Sequence, residues 1–388
     1  MTRWTLRRGA AILGSVTEHT DLIVVGAGII GLASAFLARE QGLSVRVIDS
    51  ADRPVGSSIQ NFGHACFTAQ ADVIQPVADV ARAGWLRAAQ RAGFWARESG
   101  TWLPAATEVE LQVLEEFAEH RGSDRVTLLG RAEVAAGIGN PGLTALGGAH
   151  LPLDVRVNPR EAAPTLARHL ASDGVEFTWN TQVTGVADGT VATVRGDFHA
   201  ERVIVAPGYK LLALFPDLAE RHEVRVCELA MALIERPARI PADLAVLTGT
   251  SMARYDGIAA MPSVAALREE LAQREPELVD VIANLMMTGT EQGIFIGDSH
   301  HYADHTEPFL SEDVADLLLH RATAVLGIDK PRVLQRWKGQ YADSPGTNLV
   351  LERPDSRTTV AVVTSGIGMT LSFGVADLAL RGDTITGF

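Results

Sequence analysis

Cysteine is scarce in this chain of 388 residues: only Cys66 and Cys227 occur, far apart and without the spacing of metal ligands. Two cysteines are too few for a disulfide scaffold, so we expect a reducing, cytoplasmic environment. An excess of positive charge is also lacking, because 47 acidic residues outnumber 34 basic ones and the net charge is −13. This balance argues against nucleic acid or an anionic membrane as a general partner.

Long apolar runs are missing as well. No stretch reaches the ~18 consecutive apolar residues of a membrane span, so the sequence predicts no transmembrane helix. Residues 1–20 contain three arginines ahead of a short apolar stretch, but no signal-peptide cleavage site follows. We predict that residues 1–20 form a flexible leader. The remaining length suggests two domains, and the 47% hydrophobic content allows a large core.

A βαβ unit is predicted at residues 21–50. The segment 22–25 is a short apolar strand, a helix with apolar residues at helical spacing follows, and the segment 44–48 alternates as a second strand. Between the first strand and the helix lies the sequence GAGIIG, residues 26–31. Because this glycine pattern follows a strand and opens a helix, it predicts a dinucleotide site.

Each residue of the fingerprint has an expected role. Gly26 permits a tight turn, Gly28 lets the backbone approach a pyrophosphate, and Gly31 lets the helix pack on the strand. Asp49, eighteen residues after Gly31, is placed to accept a hydrogen bond from a ribose. A glycine-rich turn without a ligand is the alternative. From this unit, the predicted cofactor residues are Gly26, Gly28, Ile29, Ile30, Gly31, Asp49 and Ser50.

Two distant segments favour FAD over NAD. The segment 202–208 is an apolar strand that ends in small residues, and this lets the chain pass close to a cofactor. The segment 365–370 precedes a terminal helix whose N-terminus could stabilise the negative charge of a reduced flavin. An ordinary strand–helix connection is the alternative for either segment alone. No cysteine lies in the C-terminal turn, so we expect non-covalent FAD. The further predicted cofactor residues are Ser57, Ser58, Asn61, Gly63, His64, Val183, Ala206, Gly208, Gly339, Gly366, Gly368, Met369 and Thr370.

Together these segments resemble the D-amino-acid oxidase superfamily of FAD enzymes, which includes glycine oxidase, sarcosine oxidase and D-amino-acid dehydrogenase. The segments VNPR (157–160) and GVEF (174–177) also look like that superfamily, although Asp49 stands where Glu is more usual. The resemblance implies a mixed α/β and α+β fold, in which an inserted domain of antiparallel sheet and helices accompanies a Rossmann-like FAD-binding domain. The expected FAD-binding domain comprises residues 21–75, 151–222 and 335–388, and the expected substrate domain comprises residues 76–150 and 223–334.

Three further segments resemble a narrower subgroup associated with phosphonate catabolism. They read GSSIQNFGH (56–64), GDSHHY (297–302) and RWKGQY (336–341). This resemblance implies oxidative deamination of an aminophosphonate related to 2-aminoethylphosphonate.

A phosphonate dianion needs charge-assisted donors. The candidate catalytic and substrate residues are His64, His300, His301, Tyr302, Lys338 and Arg254. Arg336 and Lys338 should share one face of a strand while Trp337 points to the other, and we expect Arg336 in a structural ion pair. The adjacent histidines match no familiar metal spacing, so no metal site is predicted. Tyr255 and Tyr341, like Tyr302, are possible orienting hydroxyls.

The activity implied by the resemblance is hydride transfer from a small amine to flavin N5, followed by hydrolysis of the imine, with oxygen or a quinone as electron acceptor. Three possibilities stay open. A basic cluster of Arg254, His300 and Lys338 would favour an aminophosphonate, and a single arginine would favour a D-amino acid or N-methyl amino acid. A flavin walled off from solvent would favour a non-catalytic subunit. A homo-oligomer is compatible with the sequence.

Overall fold

The structure is a computed structural model that describes residues 20–304 and 306–383. The predicted leader therefore lies, except for Thr20, outside the described residues. No helix among the described residues has the length and apolar character that crossing a membrane requires.

The described residues form strands in the following chain order: β1 (Leu22–Val25), β2 (Val45–Ile48), β3 (His64–Ala65), β4 (Ala96–Arg97), β5 (Thr101–Ala105), β6 (Thr127–Gly130), β7 (Gly147–Leu151), β8 (Val155–Val157), β9 (Glu176–Thr178), β10 (Val183–Ala187), β11 (Thr190–Thr193), β12 (Phe198–His199), β13 (Arg202–Val205), β14 (Arg225–Ile234), β15 (Ala245–Leu247), β16 (Met286–Thr290), β17 (Gly293–Gly297), β18 (His301–Ala303), β19 (Val333–Asp343), β20 (Leu349–Glu352) and β21 (Thr358–Val363).

The helices of the same residues are α1 (Ile29–Glu40), α2 (Gln75–Ala92), α3 (Glu108–Arg121), α4 (Arg131–Ile138), α5 (Pro159–Ser172), α6 (Leu211–Leu214), α7 (Pro216–Arg221), α8 (Gly249–Met252), α9 (Asp256–Ala259), α10 (Val264–Arg274), α11 (Pro276–Asp280), α12 (Glu312–Leu326) and α13 (Gly368–Arg381).

The first sheet contains the predicted βαβ unit. Its strand order is β20-β21-β13-β1-β2-β9, with all neighbours parallel except β20 and β21. Alternate residues of β1 point to opposite faces. Leu22 and Val24 pack against α1 and α13, whereas Ile23 and Val25 pack under the small antiparallel sheet β10-β11-β12. The sheet is thus covered by helices on one face and by strands on the other.

The second sheet has nine strands within the described residues and is mostly antiparallel. Its path is β18-β14-β17-β16-β15-β5-β7-β6, and β19 pairs with β14 along almost its whole length. Helices α3, α4, α10 and α12 pack on it. By sheet membership, residues 335–343, which the predicted boundaries assign to the FAD-binding domain, lie in the second sheet. The predicted fold class, a Rossmann-like domain with a sheet-and-helix substrate domain, is confirmed.

A glycine and a proline determine two helix ends. Helix α2 ends at Ala92, because Gly93 adopts a left-handed φ of +77° and the chain then enters β4. Helices α10 and α11 are separate, because Pro276 disfavours the helical conformation for Glu275, whose φ is −135°.

Trp85 connects the helical layer to the start of α13. Its side chain is fully buried, its Nε1 donates to the carbonyl of Met369 at 2.9 Å, and its ring meets Phe94 and Phe373 edge to face. We expect Trp85→Ala to lower the free energy of unfolding by about 3–5 kcal/mol, because it leaves a large cavity. Trp85→Phe should cost less, since most of the ring packing remains. Urea denaturation of both variants checks this order, and equal losses would contradict it.

Candidate functional site

A cavity of about 460 Å³ lies where the carboxyl ends of β1, β2 and β13 meet the second sheet. Its lining begins at the glycine fingerprint, passes the turns after β13 and β21, and ends among side chains of β14, β16 and β19. Ligands commonly bind outside the carboxyl ends of parallel strands. The cavity is therefore the candidate functional site. One of its ends lies at the fingerprint, and the other is formed by the second sheet.

Close packing against backbone requires glycine at positions 26 and 31, and Gly28 lies close to a side chain. Gly26 has a φ of +101°, and a Cβ there would collide with the carbonyl oxygen of Ala206. A Cβ on Gly31 would collide with the carbonyl oxygen of Gly26. At Gly28 a Cβ would lie 3.2 Å from the Oγ of Ser58, and that Oγ accepts the Ile29 N–H at 2.8 Å. The turn is therefore built for a bare backbone beside the cavity.

Asp49 stands at the end of β2 and lines the cavity. Its Oδ2 accepts the N–H of Ala27 at 2.6 Å, and its Oδ1 accepts the N–H of Ala51 at 2.8 Å. These bonds fix the carboxylate beside the fingerprint. A carboxylate held there can still accept further hydrogen bonds from a ligand, because its two oxygens offer about four lone-pair positions.

Most predicted cofactor residues line the cavity: Gly26, Gly28, Ile29, Ile30, Asp49, Ser50, Ser57, Ser58, Asn61, His64, Val183, Ala206, Gly208, Gly366, Gly368 and Met369. Four lie behind its wall instead. Gly31 packs against the backbone of Gly26, and Gly63 packs against the backbone of Val157. Gly339 packs against Gln60, and the Oγ1 of Thr370 accepts the N–H of Cys66 at 3.2 Å.

His64 is buried at the cavity wall and has one unpaired nitrogen. The Thr101 hydroxyl donates its only proton to Asp154 at 2.7 Å, so its oxygen accepts from the His64 Nε2 at 2.6 Å. This leaves Nδ1 as an acceptor, and it has no partner among the described residues. Burial, reinforced by the charge of Arg156, holds the pKa of His64 well below its usual range. His64 is therefore a neutral acceptor beside the cavity.

At the end formed by the second sheet, the structure brings together three of the predicted substrate residues. Arg254, His300 and Tyr302 all line the cavity, and the Arg254 guanidinium donates to the Tyr302 hydroxyl at 3.1 Å. The Nδ1–H of His300 donates to the carbonyl of Ile282 at 2.9 Å. Burial and the charge of Arg254 lower the pKa of His300 to about 3. His300 is thus neutral, and Arg254 supplies the positive charge at this end.

The structure does not bring His301 and Lys338 into the cavity. His301 is exposed, and Lys338 pairs with the buried carboxylate of Glu228 at 2.8 Å and donates to the carbonyl of Glu307. Arg336 pairs with Glu312 and Asp316 of α12, in the structural role expected of it. Of the predicted basic cluster of Arg254, His300 and Lys338, only Arg254 brings a positive charge into the cavity.

Sequence reasoning missed Asp298, which lines the cavity near Arg254. It occurs in the segment GDSHHY, of which only the two histidines and the tyrosine are predicted site residues. Its side chain is buried, and burial raises its pKa to about 7 although Arg254 opposes the shift. The hydroxyl-bearing side chains of Tyr255 and Tyr341 also line the cavity, as their predicted orienting role requires.

Comparison with known proteins gives a family and a set of similar structures. Residues 21–381 match the family DAO, described as FAD dependent oxidoreductase. No curated protein sequence matches the chain. Among solved structures, glycine oxidase from Geobacillus kaustophilus is 19% identical, with 95% of this chain and 96% of that one covered and a TM-score of 0.74.

Two more solved structures have the same fold. L-proline dehydrogenase from P. horikoshii is 17% identical, with 95% of each chain covered and a TM-score of 0.75. L-alpha-glycerophosphate oxidase from Mycoplasma pneumoniae, solved with FAD bound, is 16% identical, with 94% of each chain covered and a TM-score of 0.70.

Proposed function

Because this chain belongs to the DAO family of FAD-dependent oxidoreductases, we propose that it oxidises a small amine that carries an anionic group. The observation that carries the proposal is the cavity itself. It runs from the fingerprint, past the turns that the sequence assigns to FAD, to the end formed by the second sheet, where Arg254 is a charged donor. A continuous path of this kind supports an enzyme and gives no support to a non-catalytic flavin-binding subunit.

The residues present fit FAD. The fingerprint offers bare backbone that a Cβ would fill, Asp49 offers carboxylate lone pairs, and the unpaired Nδ1 of His64 offers an acceptor for an N–H donor. We propose that Gly28 and the first turn of α1 hold the pyrophosphate, that Asp49 holds a ribose, and that Gly366 and Gly368 lie against the isoalloxazine. Neither cysteine lines the cavity, which supports non-covalent binding.

Bound FAD supplies a two-electron acceptor for a C–H bond next to nitrogen. The chain's own residues bind and orient the substrate. Arg254 binds the anionic group through charge-assisted hydrogen bonds, and the hydroxyl of Tyr302, already in contact with the guanidinium, fixes the direction of those bonds. The apolar side chains of Leu229 and Met286 limit water at this end of the cavity.

A carboxylate is the anion that the site favours. One guanidinium matches one carboxylate bidentately. Lys338 pairs with Glu228 and His300 is neutral, so Arg254 is the positively charged side chain that the second-sheet end contributes to the described lining. The other cation of that lining, Lys210, is exposed and belongs to the turn after β13. The names of two structures of the same fold, glycine oxidase and L-proline dehydrogenase, point to amino acids. We therefore propose an amino acid or N-methyl amino acid as the first substrate class.

An aminophosphonate is the second candidate, and a specific observation favours it. The three segments that resemble the phosphonate-associated subgroup are far apart in sequence, yet each contributes residues to this one cavity. His64, Asp298 and Tyr341 represent them. Hydroxyls of Tyr255, Tyr302 and Tyr341 could donate to the additional oxygen of a phosphonate.

Matched substrate pairs test the choice between these anions. The yellow holoprotein is mixed without oxygen with glycine or aminomethylphosphonate, and with β-alanine or 2-aminoethylphosphonate, and loss of the flavin colour is followed. We expect the carboxylate of at least one pair to reduce the flavin more than tenfold faster than its phosphonate. Faster reduction by both phosphonates would transfer the proposal to the second candidate. Reduction by no amine, including sarcosine and D-alanine, would contradict both.

A further inference from the structure

Asp298 is a buried carboxyl group that the cavity wall leaves without a partner. It follows β17, and its backbone is fixed against Asn284 by two hydrogen bonds of 2.9 and 3.2 Å. The residue is only 4% exposed and lines the cavity. Its Oδ1 has no hydrogen-bond partner among the described residues, and the Oδ1 of Asn284 beside it has none either.

An unpaired acceptor in a buried place is unfavourable unless a ligand supplies the missing donor. Two such acceptors in one pocket call for a group with several N–H donors. The ammonium form of an amine has two or three of them and a positive charge. Arg254, in the same pocket, requires the opposite partner, an anion. The pocket is therefore complementary to a zwitterion.

We propose that Asp298 binds the ammonium group of the substrate and removes its proton before oxidation, and this inference rests on the amine oxidation proposed above. In this step an N–H bond breaks, an O–H bond forms on Asp298, and the electron pair stays on nitrogen. The neutral amine can then be oxidised at its neighbouring C–H, with FAD as the two-electron oxidant that the family's activity supplies. The carboxyl group must lose the proton again before the next turnover.

Most of the other titratable groups around Asp298 are neutral near pH 7. Burial raises the pKa of Cys227 to about 12 and raises the pKa values of Tyr255 and Tyr341 well above their usual range. His300 and His64 have lowered pKa values, as described above. The pair Arg225–Asp343, at 2.7 Å, carries no net charge. Among the described residues, Arg254 is the charged side chain that acts on the pKa of Asp298, and it lowers that pKa.

This setting makes Asp298 suited to accept a proton. Burial raises its pKa to about 7. This value is closer to the pKa of an amine than the pKa of an ordinary carboxyl group is. General bases work best when their pKa lies near the working pH. An ionised Asp298 also disfavours a second negative charge on the substrate, which agrees with the preference for a carboxylate over a phosphonate dianion.

The variant Asp298→Asn tests the inference. The substitution removes the base but no hydrogen bond that the Asp298 side chain makes to another described residue, so FAD binding should persist. The rate constant of anaerobic flavin reduction is measured from pH 6 to pH 10. We expect a loss of roughly a hundredfold at pH 7, within the range of general base catalysis. The loss should shrink toward pH 10, because an increasing fraction of the amine is already neutral in solution.

Glu110→Gln is the matched control. Glu110 is also a buried carboxyl group with a raised pKa, mainly caused by burial, but it pairs with Arg274 and lies outside the cavity lining. We expect the control to keep the wild-type pH profile. A loss in Asp298→Asn that is equal at every pH, or no loss, would overturn the inference while leaving amine oxidation in place. Failure of the wild type to react with any amine would instead overturn the proposed function.

A measurement on the wild type covers the case in which Asp298→Asn does not fold. The rate should rise with pH through a value near 7 and then level off, since Asp298 must be ionised. The pH at which the rate reaches half of its plateau should stay the same when a substrate with a lower amine pKa replaces the first one. A half-plateau pH that shifts with the amine pKa would overturn the inference.

Discussion

Gly28→Val should give a folded but colourless protein. Gly28 has a φ of −69°, which valine tolerates, so the backbone of the turn can remain as it is. A Cβ there would lie 3.2 Å from the Oγ of Ser58, and the two methyl groups of valine would extend into the cavity beside the first turn of α1. We expect loss of FAD from the purified protein with retained circular dichroism.

Gly185→Val is the matched control for this prediction. Gly185 lies in β10, a Cβ there would meet nothing within 4 Å, and it is not part of the cavity lining. Valine is also favoured in strands. The control should remain yellow. A Gly28→Val protein that keeps stoichiometric FAD would contradict the assignment of the fingerprint to the pyrophosphate.

Arg254→Met should lower kcat/KM for the best anionic amine by roughly two to three orders of magnitude, with FAD still bound. Removing one partner of a buried, hydrogen-bonded charge pair costs about 2–5 kcal/mol, and each 1.4 kcal/mol corresponds to a factor of about ten. The kcat/KM of Arg254→Lys should lie between the values of the wild type and of Arg254→Met, because lysine keeps the charge but cannot form the two parallel bonds of a guanidinium. Steady-state kinetics of the three proteins check the order.

The control for Arg254 is Arg336→Met. Arg336 forms ion pairs with exposed carboxylates of α12 and lies outside the cavity lining, so its loss should leave kcat/KM within about threefold. Arg254→Met should also raise the pH near 7 at which the rate of flavin reduction is half its plateau, because the charge of Arg254 lowers the pKa of Asp298. An Arg254→Met enzyme with wild-type kinetics would contradict the proposed anchor.

The cofactor end of the cavity was predictable from the sequence, because local spacing determines it. A strand, three glycines, a helix and an acid after the second strand define their own geometry, and Gly26, Gly28 and Asp49 lie together as that pattern requires. Distant segments near Ala206 and Gly366 line the same cavity, since the carboxyl ends of parallel strands meet at one edge of the sheet.

The substrate end was less predictable, because pairing between distant strands creates it. The alternation in β19 correctly put Arg336 and Lys338 on one face and Trp337 on the other. It could not indicate that α12 and Glu228 would occupy the face with the charges. Tyr341, on the face of Trp337, lines the cavity instead. A period of two shows which side chains share a face, but not what that face contacts.

Asp298 was missed for a related reason. An aspartate after a glycine is typical of a turn at the surface, and the sequence has no signal for its burial. That burial comes from the surrounding second sheet and from Asn284, whose backbone bonds on both sides hold the segment inward. Only the three-dimensional arrangement of these elements shows that the carboxyl oxygen has no partner among the described residues.

Amine oxidation by this FAD enzyme can be distinguished from alcohol oxidation by comparing two sets of compounds. The holoprotein is mixed without oxygen with small anionic amines and, separately, with hydroxy compounds that carry the same anionic groups, such as glycolate and glycerol phosphate. We expect an amine to bleach the flavin, and we expect one equivalent of a carbonyl compound and one of ammonia or a smaller amine to be released for each flavin reduced. Bleaching by the hydroxy compounds alone would show that the enzyme does not oxidise amines.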